Sequence, residues 1–475
     1  MSTQIPMSRG RDAETLERIA ADPGARVLFR GAAVLTMDPA LGDLAPGDVL
    51  VEGTRIAAVA ADLGEAAGDG QAIVVDASGC VIVPGFVDAH RHCWQTQFRR
   101  LLPDADLGRY LEIMHGSLAP VYDLEDMYVG NHLAALGALD SGVTCVLDFS
   151  HNMRSFDHAD AVIRAWEDSG ARGVVASSVP LFGDRDPDWR ANLVRIKEER
   201  LPGDGRVTVR MGAAPEILPV VHGDLKITAE ALAFAREHGI EITLDAVFGD
   251  NASAHIVALG KEGVLGPDVT WIHCTNLTDE AWAAIADSGG KVALAVTSDQ
   301  QLGCEDGIAP IQKAFDRGVD FGLSVDVECC LATDMFSQMQ AALNSQRMLA
   351  AQRRFAGDEA APELMPARGV LELATVGGAK ANGVWERCGS LTPGKDADLL
   401  LVDAEAINNL PLNNAVGTVV LGADARNVDS VFVAGRPRKW AGLLVSSDLP
   451  GLRRRVLESR ERLLERIDHD LDVLA

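Results

Sequence analysis

The chain lacks several features that would have assigned it quickly. It has no surplus of positive charge: 43 Lys and Arg stand against 69 Asp and Glu, a net charge of −26. That balance argues against nucleic acid or an anionic membrane surface as a partner. It has no apolar run of the roughly 18 residues needed to span a bilayer, and residues Met1 to Gly10 lack the apolar core of a signal peptide. A soluble cytoplasmic protein is therefore expected. It also lacks any CxxC pair. Its eight cysteines (Cys80, Cys93, Cys145, Cys274, Cys304, Cys329, Cys330 and Cys388) are dispersed, which suggests neither a zinc ribbon nor a disulfide framework. Cys93 directly follows a pair of histidines, but no base-plus-orienter set accompanies it, which argues against a nucleophile.

What is present is a globular composition, 47% hydrophobic and 24% charged. At 475 residues the chain is too long for one ordinary core. The most informative stretch is Val83-Pro84-Gly85-Phe86-Val87-Asp88-Ala89-His90-Arg91-His92. It reads as a short apolar strand ending in His-x-His. On a strand, residues i and i+2 share a side, so His90 and His92 project together. Two neutral imidazoles side by side supply half of a metal's coordination shell.

Before this stretch, Val27–Thr36, a hairpin over Asp48–Val59 with Gly53 at its turn, and Ile73–Asp76 read as strands. After it, strands and helices alternate. Candidate strands are Phe86–Ala89, Val143–Asp148, Gly173–Ser178, Val207–Gly212, Ile240–Asp245, Val269–His273, Val292–Val296 and Phe321–Asp326. Most are near-continuous apolar runs, as parallel strands covered on both faces require. Eight such strands over about 250 residues is the arithmetic of a (β/α)8 barrel, whose chemistry sits at the C-terminal ends of its strands. Polar residues expected there are His90 and His92, His151, Glu216, Asp245, His273, Thr297-Ser298-Asp299, and Asp326. Trp94 to Asp140 is expected to cover the mouth. After Arg387 strand patterns return at Leu399–Asp403, Thr418–Leu421 and Val428–Val433. They are expected to join the N-terminal strands. An amphipathic helix with the stripe Leu452, Val456, Leu463, Ile467, Leu471 and Leu474 closes the chain. The expected architecture is α/β: a (β/α)8 TIM barrel over 84–387 and a small composite β-sandwich from 1–83 and 388–442, followed by a C-terminal helix over 443–475.

Pro84-Gly85-Phe86-Val87-Asp88-Ala89-His90-Arg91-His92, His273, Asp326 and Gly389-Ser390-Leu391…Gly394-Lys395-Asp396-Ala397-Asp398 together resemble the amidohydrolase superfamily. The resemblance is narrower still to its triazine-hydrolase and cytosine-deaminase-like branch, and runs from about Val27 to Gly442. It implies His90 and His92 as metal ligands and Asp326 as ligand and proton acceptor. It implies His273 near the attacking water and the developing oxyanion.

Two departures stand out. Mononuclear deaminases of this branch carry His-x-x-Glu after the fifth strand, where this chain reads Asp245-Ala246-Val247-Phe248. Asp245 can ligate a metal, but Phe248 cannot move a proton. Binuclear members use a carboxylated Lys on the fourth strand, and Val207–Gly212 has none. One divalent metal is therefore expected, Zn2+ with Fe2+ or Mn2+ as alternatives, held by His90, His92, Asp245 and Asp326. Trp94, Gln95, His151 and Glu328 are expected to face substrate. Glu328 would share the side of Asp326 if the strand continues.

The implied activity is metal-dependent hydrolysis of a C–N or other C–heteroatom bond in a small amide, urea, carbamate or N-heterocycle. The alternatives are hydrolytic deamination of a purine, pyrimidine or triazine ring, and a metal-dependent lyase or isomerase. The expected partner is a small molecule, and the expected assembly a homo-oligomer.

Overall fold

The computed structural model describes residues 11–67, 71–203, 205–215, 226–247, 249–445 and 447–473. Glu216, Phe248 and Leu474 lie outside them. Eight parallel strands make one sheet: β1 (Phe86–Arg91), β2 (Val143–Ser150), β3 (Arg172–Ser177), β4 (Val207–Ala213), β5 (Ile242–Asp245), β6 (Val269–Ile272), β7 (Lys291–Leu294) and β8 (Phe321–Leu323). Their order in space is their order in the chain. The sheet closes where β1 meets the residues just past β8. There His92 N–H donates to the Asp326 carbonyl at 2.9 Å and Asp326 N–H donates to the His90 carbonyl at 3.0 Å. The seam of the TIM barrel therefore passes through the residues of greatest chemical interest.

The strands are short and apolar because both faces are covered. Val87, Ala89, Leu147, Phe149, Val174 and Ile272 fill the barrel interior. The helix Gly378–Ala381 stoppers its base, and a Cβ at Gly378 would lie 2.6 Å from the Val87 carbonyl oxygen, so this approach needs glycine. Gly85, at the crossing from the small sheet to β1, has the same constraint, because a Cβ there would collide with the Thr144 side chain. Helices start where capping residues stop the strands. Ser155 caps Phe156–Ser169, Thr278 caps Asp279–Asp287, and Asp123 with Asp126 forms a capping box on Leu124–Asp140.

The second sheet has nine mostly antiparallel strands drawn from both ends of the chain. The join is the antiparallel pair Cys80–Pro84 and Leu399–Asp403. Phe29 from the first segment meets Phe432 from the last edge-on at 5.1 Å, inside a core that includes Val49, Val75 and Leu399.

Three readings of local structure are corrected. Thr418–Leu421 is helical, not a strand: Asn414 caps Ala415–Gly417, and the chain continues as helix through Gly422. Trp94–Asp140 is not only a cover, because its second half is the 17-residue helix Leu124–Asp140. β8 ends at Leu323, three residues before Asp326. The C-terminal helix spans Leu449–Arg466 and docks on Leu124–Asp140, with Arg462 Nη2 and Arg466 Nη1 on the buried carboxylate of Asp126 at 2.7 and 3.1 Å. No helix among the described residues is long and apolar enough to cross a membrane.

Candidate metal centre

Five side chains converge at the C-terminal mouth of the barrel. His90 and His92 leave the end of β1 on one side, as the period-2 geometry requires, with ring centroids 4.5 Å apart. Asp326 faces them: its Oδ1 lies 3.1 Å from His90 Nε2 and 3.2 Å from His92 Nε2. His273, just past β6, places Nε2 3.7 Å from Asp245 Oδ1 and 3.9 Å from Asp326 Oδ2. Two overlapping groups have ligand atoms all within 4.8 Å of one another: His90, His273 and Asp326, and His90, His92 and Asp245.

The donor set fits a cation. His90 Nδ1 and Nε2, Asp245 Oδ1 and Asp326 Oδ1 are buried and make no hydrogen bond. Orphaned polar atoms in a protein interior are costly, and one nitrogen of His90 together with the two carboxylate oxygens, all in one cluster, is explained by a ligand they share. His92 Nδ1–H donates to the Phe149 carbonyl at 2.9 Å, which leaves its Nε2 lone pair facing the cluster. Burial and the neighbouring His90 push the His92 pKa down to about 3, so this imidazole is neutral, the form that binds metal. Burial also raises the Asp245 carboxyl. At Asp326 burial acts in the same direction, but His90 at 3.1 Å and the charge of His273 outweigh it and hold the carboxyl well below its ordinary value.

His273 is a different kind of histidine. Its Nδ1 lies 2.7 Å from Asp299 Oδ1. Burial opposes its charge, but Asp299 overcomes that and lifts the pKa to about 10. His273 and Asp326 also share a backbone peculiarity, with φ of +61° and +68° in the left-handed region. Each such position costs on the order of 1–3 kcal/mol, and such strain concentrates at functional sites. The Ser298 hydroxyl donates to Asp326 Oδ2.

A neutral wall of rings adjoins the cluster. His151 stacks face to face on His92, with centroids 4.0 Å apart and planes 6° from parallel. Trp94 Nε1–H donates to His151 Nδ1 at 3.1 Å, so the proton of this neutral ring sits on Nε2. His115 meets His151 edge-on at 4.4 Å and lies 3.1 Å from the Tyr110 hydroxyl through Nε2. Gln95 Nε2 donates to the same hydroxyl at 2.7 Å. Burial brings His115 down to about 3 and, with His92 and His115 nearby, drives His151 well below its ordinary value.

The structure therefore brings His90, His92, Asp245, His273 and Asp326 together, with Trp94, Gln95 and His151 alongside. It does not bring Glu328. Asp326 turns the chain out of strand geometry, so the i+2 relationship fails. The Glu328 carboxylate is wholly buried between Arg91, 2.9 Å away, and the Arg99 guanidinium. Its placement corrects the expectation that it faces substrate. Arg210, on the strand where a bridging lysine would sit, points to the base of the barrel and donates to Thr270 Oγ1 and the Ala381 carbonyl. Cys93 is fully buried, and that burial pushes its thiol well up. Tyr110 and His115 were not singled out in the sequence, whereas Ser298 and Asp299 were expected at the end of the seventh strand. Tyr110 and His115 come from a segment without strand periodicity, where spacing gives no signal.

The model of the amidohydrolase family matches residues 81–438. A 5'-deoxyadenosine deaminase of Methanosarcina barkeri is 28% identical over 439 residues, covering 87% of this chain and 92% of the relative. A 5-methylthioadenosine/S-adenosylhomocysteine deaminase of Moorella thermoacetica is 29% identical over 379 residues, covering 76% and 82%. Among solved structures, an adenosine deaminase from Xanthomonas campestris with bound zinc superposes with a TM-score of 0.78 at 22% identity, covering 93% of this chain and 99% of that one. The atrazine chlorohydrolase of Arthrobacter aurescens complexed with zinc gives 0.76 at 21% identity, covering 91% and 99%.

Proposed function

The chain belongs to the amidohydrolase family, hydrolases acting on carbon–nitrogen bonds, and from that premise we propose a mononuclear metal-dependent hydrolase of a small, uncharged C–N compound. The observation that carries the metal is the set of buried, unpartnered atoms on His90, Asp245 and Asp326 at one point of the barrel mouth. His90, His92, Asp245 and Asp326 hold it, and the mixed imidazole and carboxylate set suits Zn2+, with Fe2+ or Mn2+ as alternatives. The absence of a lysine on β4 favours one metal over two.

When bound, such a metal makes water acidic enough to attack carbon at neutral pH. Asp326, ionised and placed between both imidazoles, takes the proton from the attacking water and passes it to the leaving nitrogen. His273, held by Asp299, donates from Nε2 to the developing oxyanion. Trp94, Gln95 and His151 bind substrate with neutral groups, which favours an amide, urea, carbamate or heterocycle over an anion.

The second reading is a ring deaminase, and the similarity to deaminases of adenosine derivatives over 76% to 87% of the chain supports it. Phe248 in place of a glutamate opposes it, because no carboxylate stands there to carry a proton to a ring nitrogen. A screen of the zinc-loaded protein against nucleosides, pyrimidines, triazines, N-aryl amides and ureas separates the two. Turnover of an amide or urea without ammonia from any ring supports the first reading. Ammonia from a purine ring replaces it with the second. Hydrolysis of none of them overturns both. We place the enzyme in the cytoplasm as a homo-oligomer.

A further inference from the structure

Two consecutive residues that carry no proton in the proposed reaction each grip one of its key groups. Ser298 and Asp299 lie in the first turn of the helix Val296–Leu302, which follows β7, and both are wholly buried. Ser298 Oγ–H donates to Asp326 Oδ2. That bond leaves Asp326 Oδ1 as the oxygen facing His90 and His92, and Oδ1 is the one without a hydrogen bond. Asp299 Oδ1 binds His273 Nδ1 at 2.7 Å, so it is the Nε2 edge of His273 that faces Asp245 and Asp326.

The helix that carries the pair is itself fixed. Thr297 Oγ1 and the Gln338 side chain are within hydrogen-bonding distance at 3.0 Å. The Asp299 N–H donates to the Ala295 carbonyl at 2.9 Å, and Gly303 ends the helix in a left-handed turn with φ of +64°. Asp299 does not earn its burial by capping this helix. The N-cap position is Ala295, the Oδ1 of Asp299 is engaged by His273, and its second oxygen, Oδ2, is buried without a partner. An interior carboxylate with one oxygen unsatisfied is costly unless the other oxygen does something specific.

We propose that Ser298 and Asp299 are a positioning pair: Ser298 sets which oxygen of Asp326 is offered to the metal, and Asp299 sets which nitrogen of His273 is offered to the reaction. Successive helical residues diverge by about 100°, which lets one turn of helix reach a residue at the end of β6 and another just past β8. This rests on the reading of His90, His92 and Asp326 as a metal site, and its test separates the two.

Wild-type protein, Ser298→Ala and Ser298→Thr are loaded with Co2+. Affinity is read by chelator competition and geometry by the visible d–d bands, while melting of the metal-free forms reports stability. Ser298→Ala is expected to bind Co2+ roughly 10- to 100-fold more weakly with altered bands, the usual effect of removing a group that orients a ligand. Ser298→Thr, which keeps the hydroxyl, is expected to restore both. In parallel, 15N-histidine NMR follows the Nδ1–H of His273, which needs no metal. Its strongly downfield proton is expected in wild type and lost in Asp299→Ala.

Wild-type affinity and bands in Ser298→Ala overturn the Ser298 assignment, even if melting falls, since that leaves only a structural role. Persistence of the downfield proton in Asp299→Ala overturns the Asp299 assignment. Failure of the wild type itself to bind Co2+ overturns the metal reading and the Ser298 half with it, while the His273 result stands alone.

Discussion

Arg91 and Glu328 form a wholly buried ion pair, Nη1 to Oε1 at 2.9 Å, on the side of β1 opposite His90 and His92. Arg91 also holds Asp88 at 2.7 Å, and Asp88 accepts the N–H of Val325 at 3.1 Å. The seam of the barrel is therefore ionic on its outer side and carries the ligands on its inner side. Glu328→Ala leaves the Arg91 charge buried with half its compensation gone. Breaking a buried pair from one side costs about 3–5 kcal/mol. Urea unfolding should show a loss of that size. An unchanged midpoint would mean the pair is dispensable.

Asp148, on β2, is buried beneath Trp166, whose Nε1–H donates to it at 3.2 Å. Burial pushes its carboxyl up to about 6. Because the folded state holds this proton more tightly than the unfolded chain, stability falls as pH rises from about 4 to about 6 and the cost is constant above. Asp148→Asn removes that slope. The stability difference between variant and wild type should move in the variant's favour by about 2 kcal/mol between pH 4 and pH 7. Parallel pH profiles for the two proteins would contradict the assignment.

Asp245 occupies the position where the resemblance leads one to expect histidine, and its Oδ1 is buried and unpartnered. Asp245→Asn keeps the shape and removes the charge. Zinc affinity should fall by about tenfold or more, while the unfolding midpoint of the metal-free protein changes little, since the amide keeps the shape and the carboxylate's desolvation cost and its attraction to His273 are lost together. Unchanged zinc affinity would show that Asp245 is not a ligand.

Trp94 is tied to His151 by one hydrogen bond, and His151 to His92 by stacking. Trp94→Phe keeps the ring and removes the donor. A loss of about 1 kcal/mol in stability is expected, with a rise in KM larger than the fall in kcat once a substrate is in hand. An effect confined to kcat would move Trp94 from binding into the chemistry.

Much of the site was legible because it obeys simple periodicities. His90 and His92 share a side of β1 because strands repeat every two residues, and Asp245, His273 and Asp326 follow from where apolar runs stop. The same rule misplaced Glu328, because Asp326 leaves strand geometry at φ +68° and a two-residue count past it means nothing. His115 and Tyr110 were invisible because they reach the mouth from a helical segment, Leu107–Leu118, with no register to β1. Thr418–Leu421 was misread because a short apolar run does not distinguish strand from buried helix, and the deciding signal was the cap at Asn414.

The central claim is one metal held by the His90–His92–Asp326 cluster, and metal analysis of the purified protein beside His90→Ala and Asp326→Ala tests it most directly. The prediction is roughly one equivalent of metal per chain in the wild type and a large loss in both variants, each of which removes a ligand. Metal retained in both variants, or roughly two equivalents in the wild type, would contradict it.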